Sequence, residues 1–139
     1  MSFLLDTNVV CELRTPSADA GVVTWAAQLA RRDAYLSVVT IREIEAGIIL
    51  VERREERQGA VLRSWLEERV LVQYADRLLP ADLTVARRAA ALHVPDPRPE
   101  RDALIAATAL VHGLVVVTRN VSDFAPTGVE VLDPWGAAT

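Results

Sequence analysis

Phe3-Leu4-Leu5-Asp6-Thr7-Asn8 and, far downstream, Leu114-Val115-Val116-Val117-Thr118-Arg119-Asn120 decide the fold. Each is a short, wholly apolar run that stops at polar residues. A strand with one wet face alternates apolar and polar side chains. A strand apolar at every position is covered on both faces, which is the habit of parallel sheets flanked by helices. Tyr35-Leu36-Ser37-Val38-Val39 reads the same way, Arg77 to Pro80 offers a short further strand, and Val129 to Leu132 alternates like an edge strand. Helical stretches separate them. Thr7-Asn8 supplies capping side chains for Val9 to Leu13, and Ser17 caps a helix whose stripe is Val22, Trp25, Ala26 and Leu29. A long helix starts at Thr40, a break falls at Gly59, and Val61 to Leu66 begins the next helix. Asp82 to His93 is helical, and Val94 to Pro99 forms a rigid loop. Glu100 to His112 is an alanine-rich helix closed by Gly113. Strands alternating with helices, and apolar throughout, predict an α/β sandwich with a mainly parallel sheet, one domain over residues 1–139.

Composition narrows the chemistry. All 15 basic residues are arginine. A chain without lysine has no G-x-x-x-x-G-K phosphate loop and no Schiff-base lysine, and no G-x-G-x-x-G occurs either. Receiver domains and haloacid-dehalogenase-like phosphatases, which need a lysine beside an aspartate, are excluded. The single Cys11 rules out a disulfide framework or a cysteine-rich zinc site. No apolar run approaches the ~20 residues of a membrane span, and no leader opens the chain, so a soluble, cytoplasmic protein is expected.

In open α/β sheets, sites form beyond the carboxyl ends of the strands. Asp6 ends the first strand, Glu43 follows the second, Asp102 lies in the first turn of the alanine-rich helix, and Asn120 and Asp123 follow Val117. Each has a plain structural explanation. Asp6 can cap the helix after it. Thr40-Ile-Arg-Glu43 matches a capping box, Asp102 suits a helix N-terminus, and Asp123 suits an Asx turn. Gathered at one rim, however, they repel by ~1–4 kcal/mol per close pair. Either some are protonated or a cation sits among them. No His or Cys cluster accompanies them, and His93 and His112 read as structural. The donor set is therefore all oxygen, which favours Mg²⁺ or Mn²⁺ over zinc. Such an ion suits phosphoester hydrolysis with water as the nucleophile. Setting these four acids aside brings the scaffold from a net charge of −4 to neutrality. Arg98, Arg101 and Arg119 then stand near the rim as candidates for holding a phosphate backbone. Arg53 to Arg57 read instead as a solvated helix face paired with glutamates.

Leu4 to Val9, Ser37 to Glu43 with Gly47, Asp102 to Ala109, and Val117 to Phe124 together resemble the PIN-domain family. The likeness is strongest to VapC-type toxins, including the FitB-like branch, which also ends in a Pro-Trp like Pro134-Trp135. The resemblance implies a three-layer α/β/α fold with a small, mainly parallel sheet, and a metal-dependent endoribonuclease that forms homodimers and is neutralised by a cognate antitoxin. Asp6, Glu43 and Asp102 match the family's first three acids. Where many members place a fourth aspartate this chain has Asn120, with Asp123 three residues on. On this reading Asp6, Glu43, Asp102 and Asp123 hold Mg²⁺ or Mn²⁺ and carry catalysis, with Asn120, Thr118 and Asn8 in support. The alternatives are a catalytically silent PIN-like binding or assembly module, and a metal-dependent phosphatase or DNA nuclease on the same site. The helix from Thr40 and the one after Gly59 carry more apolar residues than one core-facing stripe needs. Ile44, Ile48, Val51, Leu62 and Trp65 are therefore expected to line a groove for an antitoxin helix, with homodimerisation on another face.

Overall fold

The computed structural model describes residues 1–136; the last three residues of the expected domain lie outside them. β1 (Phe3–Leu5) leads into α1 (Thr7–Arg14) and α2 (Ala20–Gln28). β2 (Ala34–Ser37) runs straight into α3 (Val38–Arg54). α4 (Glu56–Trp65) continues through a π-helical turn over Leu66–Val70 into the short α5 (Leu71–Gln73). β3 (Leu78–Leu79), α6 (Leu83–Ala91), α7 (Glu100–His112), β4 (Val115–Val117), α8 (Val121–Phe124) and β5 (Val131–Leu132) follow. The strands form one sheet in the order β3-β2-β1-β4-β5, and every pairing is parallel.

Alternation along the strands explains why they are apolar throughout. Leu5, Leu36 and Val117 face a cluster with Val9, Val22, Ile44, Ile48, Leu66 and Val70. Leu4 and Val116 point the other way, onto Ile105, Ala106, Ala109 and Phe124. The alanines of α7 let that helix lie close to the sheet, and its outer face takes Val85 and Ala89 of α6 against Ala103 and Ala107. The expected α/β/α layering is therefore present, with α6 packed outside α7.

Several boundaries differ from expectation, each for a local reason. Val38 and Val39 belong to the first turn of α3, not to β2, because the Ser37 hydroxyl accepts the Val39 N–H and starts the helix there. Thr40 thus lies inside the helix, so no capping box links it to Glu43. Asp19, not Ser17, caps α2, accepting from the N–H groups of Gly21 and Val22. Asp6 itself caps α1. Glu52, expected to pair within the Arg53–Arg57 run, instead pairs with Arg63 of α4, which also reaches Glu45.

The break after α3 falls at Glu55, and Gly59 sits within α4. It is there for proximity. A Cβ built on Gly59 would lie 2.6 Å from the backbone Cα of Glu52, so only hydrogen lets α4 press against α3. Gly59→Ala should therefore reverse the usual helix preference. In an open helix the change stabilises by ~1 kcal/mol; here, overpacking at the α3–α4 contact is expected to leave a net loss of ~1–2 kcal/mol. Urea unfolding monitored by far-UV circular dichroism measures it, and an unchanged or raised midpoint would contradict the close approach.

Candidate active site

Three acids reach one rim because of how their elements end. β1 stops at Asp6, whose carboxylate accepts the Thr7 N–H at 2.8 Å and has no solvent exposure. α3 leaves the end of β2 and carries Glu43 in its second turn. α7 starts after the proline loop and carries Asp102, also buried, in its first turn. With Thr7, Asn8, Cys11, Pro99, Arg101 and Asn120, Glu43 and Asp102 line a shallow cleft of about 420 Å³.

The guanidinium of Arg101 sits at the centre. Its Nε donates to Glu43 Oε2 at 2.9 Å and its Nη1 to Asp102 Oδ1 at 3.0 Å. Its Nη2 donates to Asp6 Oδ1 and, at 3.3 Å, to Thr7 Oγ1. One planar cation thus bridges three carboxylates from three remote stretches of chain. The other oxygen of Asp6 is held by Thr118, whose hydroxyl donates to Oδ2 at 2.8 Å. Thr118 is buried and accepts from Asn8 Nδ2 at 3.2 Å and from the Asn120 N–H at 3.0 Å, so its hydroxyl is fully engaged.

The electrostatics separate the acids. Partial burial pushes Glu43 up, but hydrogen bonds from Arg101 and Thr7 and the charges of Arg101 and Arg42 outweigh it, leaving the carboxyl below its ordinary range. For Asp102 burial wins. Aided by the negative charges of Asp123 and Asp6, it lifts the carboxyl above the usual aspartate value despite Arg101. Arg101 is held firmly charged: burial opposes the charge, and bonds to Glu43 and Asp6 more than compensate. Glu43 Oε1 is buried without a partner. Among the described residues no three acid, His or Cys side chains stand ready as a ligand set, because Arg101 occupies the space between them. By donor type, the hard oxygens of Asp6, Glu43 and Asp102, with one Glu43 oxygen spare, suit a divalent cation of the Mg²⁺ kind.

The sequence model of the PIN domain matches residues 3–126. The chain belongs to the PIN-domain family. It is 37% identical to Toxin FitB of Neisseria gonorrhoeae over 138 residues, covering 95% of this chain and 97% of that protein. It is 34% identical to the VapC ribonuclease Y4jK of Sinorhizobium fredii over 140 residues, covering 97% of this chain and 99% of that one. The crystal structure of FitAcB from Neisseria gonorrhoeae superposes with a TM-score of 0.89 at 35% identity, covering 96% of this chain and 99% of that one.

Other residues singled out in the sequence fall less centrally in this PIN domain. Asn120 lines the cleft, whereas Asp123, one turn on in α8, is exposed and acts on Asp102 through its charge. Arg98 turns back to the Leu92 carbonyl and so braces the loop between α6 and α7. His93 is structural as expected, its Nδ1 accepting the Arg98 N–H at 3.2 Å. Arg119 lies 5.4 Å over the Trp135 ring. Arg101 is the largest departure. Expected to touch RNA phosphate, it is bonded to the acids themselves. The groove also needs correction. Ile44 and Ile48 are core residues, with 5% and 3% exposure, because they share the inward stripe of α3. Val51, Leu62 and Trp65 are half-buried, and the large apolar side chains left open on the two helices are Val38, at the start of α3, and Ile49, Leu50 and Val61. Trp65 lines a separate cleft with Val10, Leu13, Arg69 and Tyr74.

Thr118 offers a test of this site. Thr118→Val keeps the shape and removes the hydroxyl that donates to Asp6 Oδ2. A lost hydrogen bond to a charged group costs ~1.5–3 kcal/mol. The variant should unfold at lower urea by about that amount, and equal stability would mean that Asp6 does not depend on the bond.

Proposed function

We propose that this PIN domain is the endoribonuclease toxin of a toxin–antitoxin pair, hydrolysing RNA phosphodiester bonds at a carboxylate site that holds Mg²⁺ or Mn²⁺. The observation that carries the reading is the convergence of Asp6, Glu43 and Asp102 on one guanidinium. One positive charge faces three negative ones, so the rim keeps a surplus of negative charge that a helix cap or a turn has no use for. The toxin and ribonuclease names of the full-length relatives support the same activity.

In this reading Asp6 and Asp102 are the principal ligands and Glu43 is a third ligand or holds the attacking water. Asn120 and Asp123 complete the site from the start of α8. A divalent cation bound there offsets charge on the phosphate oxygens and lowers the pKa of bound water. The chain's own residues set the stage. Thr118 and the Thr7 N–H fix both oxygens of Asp6, and Asn8 fixes Thr118 in turn. Glu43 keeps its carboxyl ionised, as a proton acceptor requires. Arg119, exposed beside the cleft, is placed to hold the RNA backbone. A toxin acting on RNA in the cytoplasm needs a restraint in the same cell. The exposed Ile49, Leu50 and Val61 give an antitoxin apolar surface, and a homodimer would use another face. No helix among the described residues is long and apolar enough to cross a membrane.

The test combines metal response and cleavage. At Mn²⁺ about 100 times above Kd, ligand linkage of ~2.7 kcal/mol should raise Tm by roughly 5–10 °C. Asp6→Asn should abolish both that shift and cleavage of single-stranded RNA. Glu43→Gln keeps the volume and one acceptor for Arg101, so the fold should hold while activity falls at least ~10²-fold, the usual worth of a positioned proton acceptor. A wild-type protein that binds Mn²⁺ but cuts only DNA would mark a DNA nuclease. One that neither binds Mn²⁺ nor cuts would mark a binding module.

A further inference from the structure

Arg101 has the wrong address for a simple substrate contact. Its side chain is 29% exposed, yet all its charged nitrogens are spent on the acids and on Thr7. We propose that Arg101 is a resident counter-ion that holds the acid cluster together in the metal-free protein and competes with the divalent cation for the same carboxylate oxygens. The proposal rests on the reading of Asp6, Glu43 and Asp102 as the metal ligands.

Each oxygen of Asp6 has one fixed donor, the Thr7 N–H on Oδ1 and the Thr118 hydroxyl on Oδ2; Arg101 is a second donor on Oδ1, so its withdrawal frees a position on that oxygen for a cation. The same guanidinium takes one oxygen each from Glu43 and Asp102. A doubly charged ion using those oxygens would press directly against a fixed positive charge, since guanidinium does not deprotonate in proteins. Something has to move, and the fold leaves one candidate. Asp6 is locked at the end of the central strand, and Asp102 is short and buried. Arg101 sits on the first turn of α7 with a long, partly exposed side chain and an open cleft beside it. It can swing outward and still face the cleft, where a phosphate group would be its next partner.

Two consequences separate this from an ordinary structural ion pair. A supporting residue, when removed, loosens the ligands and weakens metal binding. A competitor, when removed, strengthens it. Like-charged acids left without their cation also repel, so the same change should lower the stability of the metal-free protein.

The experiment uses the full chain and Mn²⁺ alone, by isothermal titration calorimetry and thermal unfolding. Arg101→Met should bind Mn²⁺ at least tenfold more tightly than wild type, melt lower without metal, and show a larger Mn²⁺-induced Tm rise. Arg101→Lys keeps the charge but cannot bridge three carboxylates, and should fall between the two. Should Arg101→Met fail to fold, the wild type still answers by NMR of its arginine Nε–Hε groups, with the Arg101 signal assigned from its loss in Arg101→Lys or, failing that, by through-bond connection to its backbone. That proton should be protected from exchange without metal and lose protection as Mg²⁺ saturates the site. Unchanged or weaker Mn²⁺ binding in Arg101→Met, or an Arg101 signal unmoved at saturating Mg²⁺, would overturn the competition while leaving the metal site standing. Absence of Mn²⁺ binding by wild type and both variants would overturn the metal reading and this inference together.

Discussion

A carboxylate with no solvent exposure sits at the carboxyl end of the central strand, and the surrounding structure is arranged to give it hydrogen-bond partners. Burying an unpaired ion costs several kcal/mol even after relaxation. Asp6 escapes that cost through three donors: the Thr7 N–H, the Thr118 hydroxyl and, through one nitrogen, Arg101, whose other bonds tie in Glu43 and Asp102. Each donor comes from a different element. The helix after β1, the turn after β4 and the first turn of α7 all have to be in register for Asp6 to be tolerated. Order in the sheet and order at the site are therefore one requirement.

Much of this was legible in the residues. β1, β2 and β4 announce themselves as wholly apolar runs, and the alanines of α7 forecast its close seat on the sheet. Asp6, Glu43 and Asp102 could be gathered in advance because strand ends in parallel sheets share one rim. The misplacements come from features that linear patterns do not carry. Ser37 outcompeted Thr40 as a helix cap because the chain leaves β2 without a loop, and that shifted α3 by a few residues. Gly59 looked like punctuation because a glycine chosen for contact distance is identical, in sequence, to one chosen for a turn. Ile44 and Ile48 looked like spare apolar surface because the depth to which α3 sinks into the core depends on α4 and the π-helical turn after it.

The bonding of Arg101 to the acids went unforeseen for a different reason. An arginine next to a cluster of acids can face either the substrate or the acids, and spacing is the same in both cases. On a helix, neighbours such as Arg101 and Asp102 project about 100° apart, which suggests separate roles. The length of the arginine side chain defeats that inference, since it folds back far enough to bond the carboxylate of the very next residue. The hint available in the sequence was electrostatic: a rim with this many acids needs a positive charge from somewhere in the folded chain. Cys11 and Pro99, which also line the cleft, gave no comparable signal, being one small apolar thiol and one loop residue.

The order of strands in the sheet also sets an order in time. Of the five strands β1 is made first but lies in the middle, and its partner β4 is made fourth. When the ribosome has released only the first half of the chain, Asp6 and Glu43 exist without Arg101, Asp102 or Thr118. The central strand then has a free edge where β4 will later lie. A fragment ending before Val115 lacks both the strand that flanks β1 on that side and the hydroxyl that holds Asp6 Oδ2. The buried carboxylate of the central strand thus gains its full set of partners only once β4 and the turn after it are in place.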